Sequence, residues 1–459
     1  MIPHVNETVS SVTEGPETSS DDHLALSAAQ PGSALGRLGR QAFHRVVEVG
    51  PWGVLAYPDF RLLWSGQLIS SAGTQMRVAA VAWQVFLLSN SAFQLGALGL
   101  FQAVPTMAFS LVGGVIADSF DRRKLLLVTQ ITLALCSAAL ALLTIFHLIT
   151  VPLIYLIAFL SSSAGAFDFP TRQALISKIV PNRQLTNAYS LNMMMFSLAT
   201  IVGPTLGGFA IAGLGVAGAY WFDVASFACA IIALVLMRVD GRPGEGRASP
   251  GVKAMVEGLR FLWRHPVILS VMLLDFCAMF FGSTRSLLPV YAVLIYHVGP
   301  QGFGLLQAAM AVGAVLATLL SGPIARIRRQ GLGVLLSIAG YGACVALFGF
   351  SAWSFALGLF FLVASGVMDM ISTVLRSAIV QLGTPDDLRG RVSSAAAIFS
   401  IGGPMLGQFE AGTLANFTTA PIAAVCGGLV VIGCAGIASL LVPGVRRFLP
   451  GEERATPKG

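Results

Sequence analysis

Charged residues are scarce in this 459-residue sequence. Only 11% of its residues are Asp, Glu, Lys or Arg, whereas 55% are hydrophobic. A soluble globular protein carries about 25% charged residues. A deficit of this size over the whole length excludes an ordinary soluble enzyme, and it indicates that lipid surrounds most of the folded surface. The composition therefore predicts a membrane protein.

Reactive motifs are missing as well. The sequence contains no HExxH, no GxSxG and no glycine-rich P-loop with lysine, so it offers nothing for hydrolysis or ATP-driven pumping. Its six cysteines lie within apolar runs without paired spacing, which predicts free thiols and no metal site. The net charge of +7 comes from short clusters between apolar runs. Nucleic acid is therefore not an expected partner, and neither is a cofactor.

Long apolar runs are what the sequence has in abundance. Hydropathy predicts twelve membrane-spanning helices, at 60–88, 94–117, 125–148, 151–169, 186–214, 219–237, 267–296, 303–325, 331–350, 353–375, 392–417 and 421–442. The predicted organisation is a disordered tail (1–56), a six-helix bundle (57–237), a linker with an amphipathic helix (238–266), a second bundle (267–449) and a short tail (450–459).

Lys and Arg alternate between the connections. Connections that follow even-numbered spans carry basic clusters, such as Arg122–Lys124 after the second span, whereas connections that follow odd-numbered spans carry none. Cytoplasmic connections of membrane proteins are enriched in Lys and Arg. The pattern predicts a multi-pass protein of the bacterial inner membrane with both termini in the cytoplasm.

The two predicted bundles resemble each other in sequence. Gly203-Pro204 recurs as Gly403-Pro404 at an offset of 200. Gly165 and Asp168 recur as Gly366 and Asp369 at an offset of 201. Two parallel six-span repeats are the architecture of major facilitator transporters. The predicted fold class is thus an all-α membrane protein with a major facilitator fold.

The chain resembles this superfamily over residues 57–449. The connection between the second and third spans is similar to its cytoplasmic signature and supplies Gly114, Asp118, Arg122 and Arg123. Ser119 and Asp121 depart from the usual pattern. The resemblance implies a cytoplasmic gate in which Asp118 meets the positive N-terminus of the eleventh span. The alternative is a basic loop that only fixes orientation.

The fifth span is similar to the antiporter motif of the superfamily, with Gly203, Pro204, Gly207 and Gly208. This motif and further matching stretches resemble the third family of drug:proton antiporters, which includes macrolide and enterobactin exporters. The resemblance implies a monomeric, proton-coupled exporter of amphipathic small molecules such as drugs or siderophores. The alternatives are an importer of a small metabolite and a membrane sensor that transports nothing.

Charges inside predicted spans are the sharpest site candidates, because each costs about 2.5–3.5 kcal/mol at the centre of a bilayer. Arg77, Arg285 and Glu410 all fall in the outer third, and we expect Glu410 to pair with one of the two arginines. The alternatives are a static bridge and an Arg285 that extends to the outer headgroups. Asp275 is the candidate for proton coupling, and Asp223 is expected to cap the sixth span.

Neutral polar residues of the first two spans are candidates for a substrate path. Gln67, Gln75 and Gln102 lead this group. The alternative is that these side chains only form hydrogen bonds between helices.

Overall fold

The computed structural model describes residues 51–239, 241, 260, 262–263, 265–319, 322, 329–385 and 388–447. Within its helices, the side chains of residues 110–119, 389–391 and 393–401 fall outside the description. The predicted N-terminal tail, the linker helix and the C-terminal tail lie almost entirely outside the described residues. From Val54 onward the described residues form one compact unit.

The described part is helical and contains no β-strand. Its long helices are α1 (Pro58–Ser89), α2 (Ala92–Ser119), α3 (Arg122–Ile145), α4 (Val151–Ile179), α5 and α6 (residues 185–214 and 216–236 of Leu185–Leu236), α7 (Pro266–Phe281), α8 (Gly299–Leu319), α9 (Gln330–Phe350), α10 (Phe355–Leu382), α11 (Arg389–Phe417) and α12 (Ala420–Leu441). Shorter turns are Pro51–Ala56, Asn182–Gln184, Leu288–Val290, the π-helical Tyr291–Ile295 and Pro443–Arg447. The prediction of twelve long helices is confirmed.

Length and apolar composition alone identify eight membrane-spanning stretches among the described residues, and one of these is the joined α5–α6. The helices α1 and α11 are long enough to span, but their polar residues lower their hydropathy. The helix α7 is only 16 residues long. Gly215 separates α5 from α6 with a φ of 73°, a backbone conformation that glycine adopts without steric cost.

Local sequence determines where several helices begin. Asp121 caps α3, because its carboxylate accepts hydrogen bonds from the backbone N–H groups of Arg123 and Lys124, at 3.0 and 3.2 Å. Thr419 caps α12 in the same way through Ile422. Proline occupies the first turn of α1, α4, α7 and α12, where its missing N–H costs nothing.

Two predicted spans end too early. The helix α4 continues to Ile179 and α10 to Leu382, so Arg172 and Arg376, which follow the predicted span ends at 169 and 375, lie within helices. A charged residue lowers the average hydropathy of its window, so a span predicted from hydropathy ends where charged residues begin. The structure continues the helices because both arginines find carboxylates inside the bundle.

The seventh span is not one continuous helix. The helix α7 ends at Phe281, and helical structure resumes only at Leu288. The break leaves the carbonyl of Gly282 without a helical partner, and the Tyr341 hydroxyl of α9 donates a hydrogen bond to it at 2.9 Å. Irregular backbone inside a membrane needs such a partner because lipid offers none.

The packed core distinguishes the two ends of the molecule. Each half contains six helices that alternate in direction, so α1 begins and α12 ends on one side, which we call the termini side. At the opposite, far side, one continuous core joins the N-half (α1–α6) to the C-half (α7–α12), with Phe86 and Tyr220 from the first and Tyr291 and Phe348 from the second. The other core clusters of the described residues each belong to one half.

Candidate functional site: a cavity in the N-half and a closed far side

Glycines close the far side. Gly208 of α5 lies against Gly304 of α8 so closely that a Cβ added to Gly208 would stand 3.1 Å from the Gly304 Cα. Gly96 of α2 and Gly412 of α11 face each other in the same way on the other flank. Between these contacts, the ring of Trp83 packs against that of Phe303 at 5.3 Å. The two halves therefore touch backbone to backbone at the far side.

The antiporter motif has two structural roles. Gly203 and Gly207 face α1 of their own half, whereas Gly208 faces α8 of the other half. The second repeat has the same arrangement. Its glycines Gly403 and Gly407 face α7 of their own half. Gln408, at the position equivalent to Gly208, meets the glycines of α2. In both repeats, the last position of the motif contributes to the closure of the far side.

A cavity of about 340 Å³ lies in the N-half. Helices α1 and α4 supply most of its described wall, and Met405 of α11 lines it from the C-half. The three glutamines predicted for the substrate path, Gln67, Gln75 and Gln102, all line this cavity. Gln75 also donates a hydrogen bond to Thr200 at 3.1 Å, so it contributes to helix packing as well.

One end of the cavity carries a buried polar network that the sequence did not indicate. Arg172 forms an ion pair with Asp168 at 3.2 Å and donates a hydrogen bond to the Gln67 Oε1 at 3.0 Å. Gln130 donates to the other Asp168 oxygen at 2.7 Å and accepts from Ser70 at 3.3 Å. The network ties α1, α3 and α4 together. Its one sequence signal was the repeat that placed Asp168 and Asp369 in equivalent positions.

Arg77 was one of the two arginines expected to pair with Glu410, and it pairs with Asp223 instead. The Arg77 Nε lies 2.9 Å from the Asp223 Oδ2, which also accepts a hydrogen bond from Ser137 at 2.6 Å. Asp223 is fully buried well inside α6, so the prediction that it caps this helix is also wrong. Removing one partner of such a pair costs about 3–5 kcal/mol, because the other charge stays buried.

Asp275 of the C-half is held by an arginine. Its Oδ1 lies 2.7 Å from the Arg376 Nη1, and the guanidinium also donates hydrogen bonds to Ser372 and Thr373. Asp369 lies within electrostatic range of both members of the pair. The C-half thus has a carboxylate–guanidinium pair between its first and fourth helices, whereas the pair of the N-half, Asp168 and Arg172, lies within α4 and contacts α1 through Gln67.

Glu410 and Arg285 are not brought together. Neither residue belongs to any of the ion pairs that the structure forms between described residues. Glu410 is half-buried in α11, whereas Arg285 is exposed in the break that follows α7. The prediction failed because it measured depth along a continuous seventh helix, and that helix ends at Phe281.

The gate motif lies only partly within the described residues. The side chains of Gly114 and Asp118 fall outside them, so the contact between Asp118 and α11 stays a prediction. The guanidinium of Arg123 donates hydrogen bonds to the carbonyls of Leu234 and Val235 at 2.8 Å, at the end of α6. Arg122 donates to the carbonyl of Ala174 in α4 at 3.0 Å. These bonds hold the α2–α3 connection against its own half.

The described residues contain no group of three His, Cys, Asp or Glu that is arranged to hold a metal ion. All six cysteines are free thiols, as predicted.

Comparison with known proteins identifies the family. A family model described as transmembrane secretion effector matches residues 49–448, which is most of the chain. The chain therefore belongs to this family, and it is a membrane transporter of the major facilitator superfamily and not an enzyme.

Curated relatives share about a quarter of their residues with the chain. The enterobactin exporter of Citrobacter koseri is 28% identical over 395 residues, which cover 85% of this chain and 94% of the relative. The enterobactin exporter of Escherichia coli O6:K15:H31 is 26% identical over 406 residues, which cover 88% and 96%.

Solved structures share the fold at low sequence identity. A bacterial homologue of the iron transporter ferroportin in an inward-facing state is 15% identical, with a TM-score of 0.64 over 83% of this chain and 98% of that one. The nucleoside transporter NupG is 12% identical, with a TM-score of 0.67 over 85% of this chain and 99% of that one. These likenesses establish the major facilitator fold.

Proposed function

We propose that this chain, a member of the transmembrane secretion effector family, is an antiporter that exports amphipathic small molecules, siderophores foremost, in exchange for protons. One observation carries the proposal. A cavity lined by Gln67, Gln75 and Gln102 lies beside helices that touch at the far side through backbone contacts between Gly208 and Gly304. The names of the curated relatives supply the substrate class.

The orientation of the protein in the membrane decides which compartment the closed far side faces. The basic residues Arg122, Arg123 and Lys124 follow α2 and lie on the termini side. Since cytoplasmic connections are enriched in Lys and Arg, we assign the termini side and both termini to the cytoplasm. The sealed far side then faces the periplasm, and substrate enters the cavity from the cytoplasm, as an exporter requires. The lining comes from a single chain, so a monomer is sufficient.

Proton coupling is assigned to the cluster of the C-half. Asp275 holds Arg376 at 2.7 Å, and Asp369, on the same helix as Arg376, lies within electrostatic range of the pair. A proton that arrives on Asp275 removes the negative charge that holds Arg376. The guanidinium then moves to Asp369, and the contact between α7 and α10 changes. A proton can thus alter helix packing in the C-half, whereas most of the described cavity lining belongs to the N-half.

Transport into inside-out vesicles tests the direction and the coupling. Vesicles with an acidic lumen should accumulate labelled siderophore, and a protonophore should abolish the accumulation. An importer coupled to protons would instead empty preloaded vesicles. A sensor would move nothing in either experiment. A strain from which the gene for this protein is deleted gives a further test. If it secretes siderophore normally and keeps its drug resistance, neither siderophores nor drugs are the substrate.

The variant Asp275→Asn tests the proposed coupling site. It should abolish accumulation driven by the pH gradient and preserve exchange of labelled for unlabelled substrate, because exchange needs no net proton movement. Asp59→Asn is the matched control. Asp59 lies at the start of α1, where it accepts a hydrogen bond from the backbone of Arg238. Normal gradient-driven transport by Asp275→Asn would remove the coupling role.

A further inference from the structure

A groove of about 510 Å³ lies between α1, α5 and α6. Ile69 and Met76 of α1 line this groove, whereas Ser71 and Gln75 of the same helix line the cavity of the N-half. No described residue lines both hollows, so α1 separates them. The groove is therefore a site of its own and not a branch of the cavity.

The described lining of the groove is apolar and contains no charged residue. Its single hydroxyl group, that of Ser226, already donates a hydrogen bond to the carbonyl of Asp223 at 2.7 Å. Water would find no partner there, and apolar cavities of this kind stay dry. A polar headgroup would lose its hydrogen bonds to water without replacement. The groove therefore selects a hydrocarbon ligand.

Small residues form the floor of the groove and bulky residues form its rim. Gly73 and Ala199 are buried at the floor. Ile69, Leu206 and Phe222 line the groove with about half of their surface exposed. A neighbouring helix packs with its axis about 8–10 Å from that of its partner, and these exposed side chains would hold it away from the floor. A flexible chain can pass between them.

The dimensions of the groove match one acyl chain. An apolar cavity of about 150 Å³ binds one benzene molecule, and this groove is about three times as large. Its lining on α1 runs from Leu68 to Met76, which is about 12 Å at 1.5 Å per residue. One leaflet supplies half of a hydrocarbon core that is about 30 Å thick. The bilayer around these helices therefore supplies a ligand of suitable length.

The floor of the groove adjoins a buried ion pair. A Cβ added to Gly73 would stand 2.8 Å from the Asp223 Oδ1, and the other oxygen of Asp223 lies 2.9 Å from the Arg77 Nε. The lining of an empty groove would lose its dispersion contacts on one side. A chain in the groove restores them, so it should stabilise the packing of α1 on α5 and α6.

We propose that the groove between α1, α5 and α6 binds one acyl chain of a membrane phospholipid and retains it while other surface lipids exchange. All three helices belong to the N-half, so the site persists whether the far side is closed or open. The proposal does not depend on the export function, and loss of transport would leave it intact.

Photo-crosslinking locates the chain in the wild-type protein. The full-length protein is reconstituted into vesicles of phosphatidylethanolamine and phosphatidylglycerol, with a diazirine on one acyl chain of part of the phosphatidylethanolamine. It is then extracted into detergent, washed and irradiated, so that only retained lipid reacts. Crosslinks should fall within residues 68–76, 198–206 and 222–229. Crosslinks spread evenly over exposed residues such as Leu135 of α3, or an absence of retained lipid, would overturn the proposal.

The variant Ala225→Phe tests the site by filling it. Ala225 is an exposed residue of α6 that lines the groove. The larger side chain occupies space that the acyl chain needs, so retained lipid should fall about fivefold or more. Ala228→Phe is the matched control, because it makes the same change at an exposed position of α6 outside the groove lining. Equal loss in both variants, or in neither, would overturn the site.

Thermal unfolding provides a second measurement. Phosphatidylethanolamine added to delipidated protein should raise the melting temperature of the wild type and of Ala228→Phe, but not that of Ala225→Phe. An equal increase in all three proteins would show that lipid acts on the whole surface, which would overturn the proposal. The intact mass of the irradiated wild type should show one lipid per chain. A dimer without lipid would assign the groove to a second copy and would also overturn it.

Discussion

Adding one methyl group at Gly208 should open the far side. In the closed arrangement a Cβ at this position would stand 2.5 Å from the carbonyl oxygen of Pro300 and 3.1 Å from the Gly304 Cα. Both atoms belong to the backbone, so no side-chain rotation can relieve the overlap. Helices α5 and α8 must therefore move apart.

The size of the effect follows from the cost of overpacking. Inserting a methyl group into a packed contact typically costs about 1–3 kcal/mol. Gly208→Ala imposes this cost only on the arrangement in which α5 and α8 touch. An arrangement with the far side open is spared, so the equilibrium between the two should shift about 5- to 150-fold towards opening.

Distance measurements between spin labels provide the assay. One label is placed at position 90, in the α1–α2 connection, and one at position 418, in the α11–α12 connection, in a variant without the six native cysteines. Gly208→Ala should increase the population with a long distance between the labels. Gly213→Ala is the control, because a Cβ at Gly213 of the same helix meets nothing within 4 Å. Identical distance distributions for the two variants would refute the reasoning.

Three further variants test other contacts. Arg77→Met should lower the free energy of unfolding of the purified protein by about 3–5 kcal/mol, because Asp223 stays buried without its counter-charge. Adding Asp223→Leu should recover most of this loss. A double variant that is no more stable than Arg77→Met would contradict the pairing. Asp121→Ala removes the cap of α3 and should lower the free energy of unfolding by about 1 kcal/mol. An unchanged free energy of unfolding would show that the cap contributes nothing. Asp118→Asn should favour opening at the termini side, and cysteine crosslinking between the α2–α3 connection and the start of α11 should fall relative to the wild type; equal crosslinking would remove the latch.

The architecture could be predicted from the sequence. Lipid demands long apolar helices, and hydropathy detects them. The repeat of Gly203-Pro204 as Gly403-Pro404 revealed the two halves. Motif resemblance placed the chain among exporters of the major facilitator superfamily, and the family match confirms this assignment. All of these signals are local or periodic, so they can be read along the chain.

Which charges are partners, in contrast, depends on tertiary packing. Arg77 and Asp223 lie 146 residues apart in sequence. Their pairing depends on how α1 and α6 pack, and depth along single helices could not reveal it. Arg376 was assigned to a loop because its charge ended an apolar run, yet Asp275 of another helix holds it inside the bundle. The contact between Gln67 and Arg172 has the same origin, since only the packing of α1 on α4 brings the two side chains together.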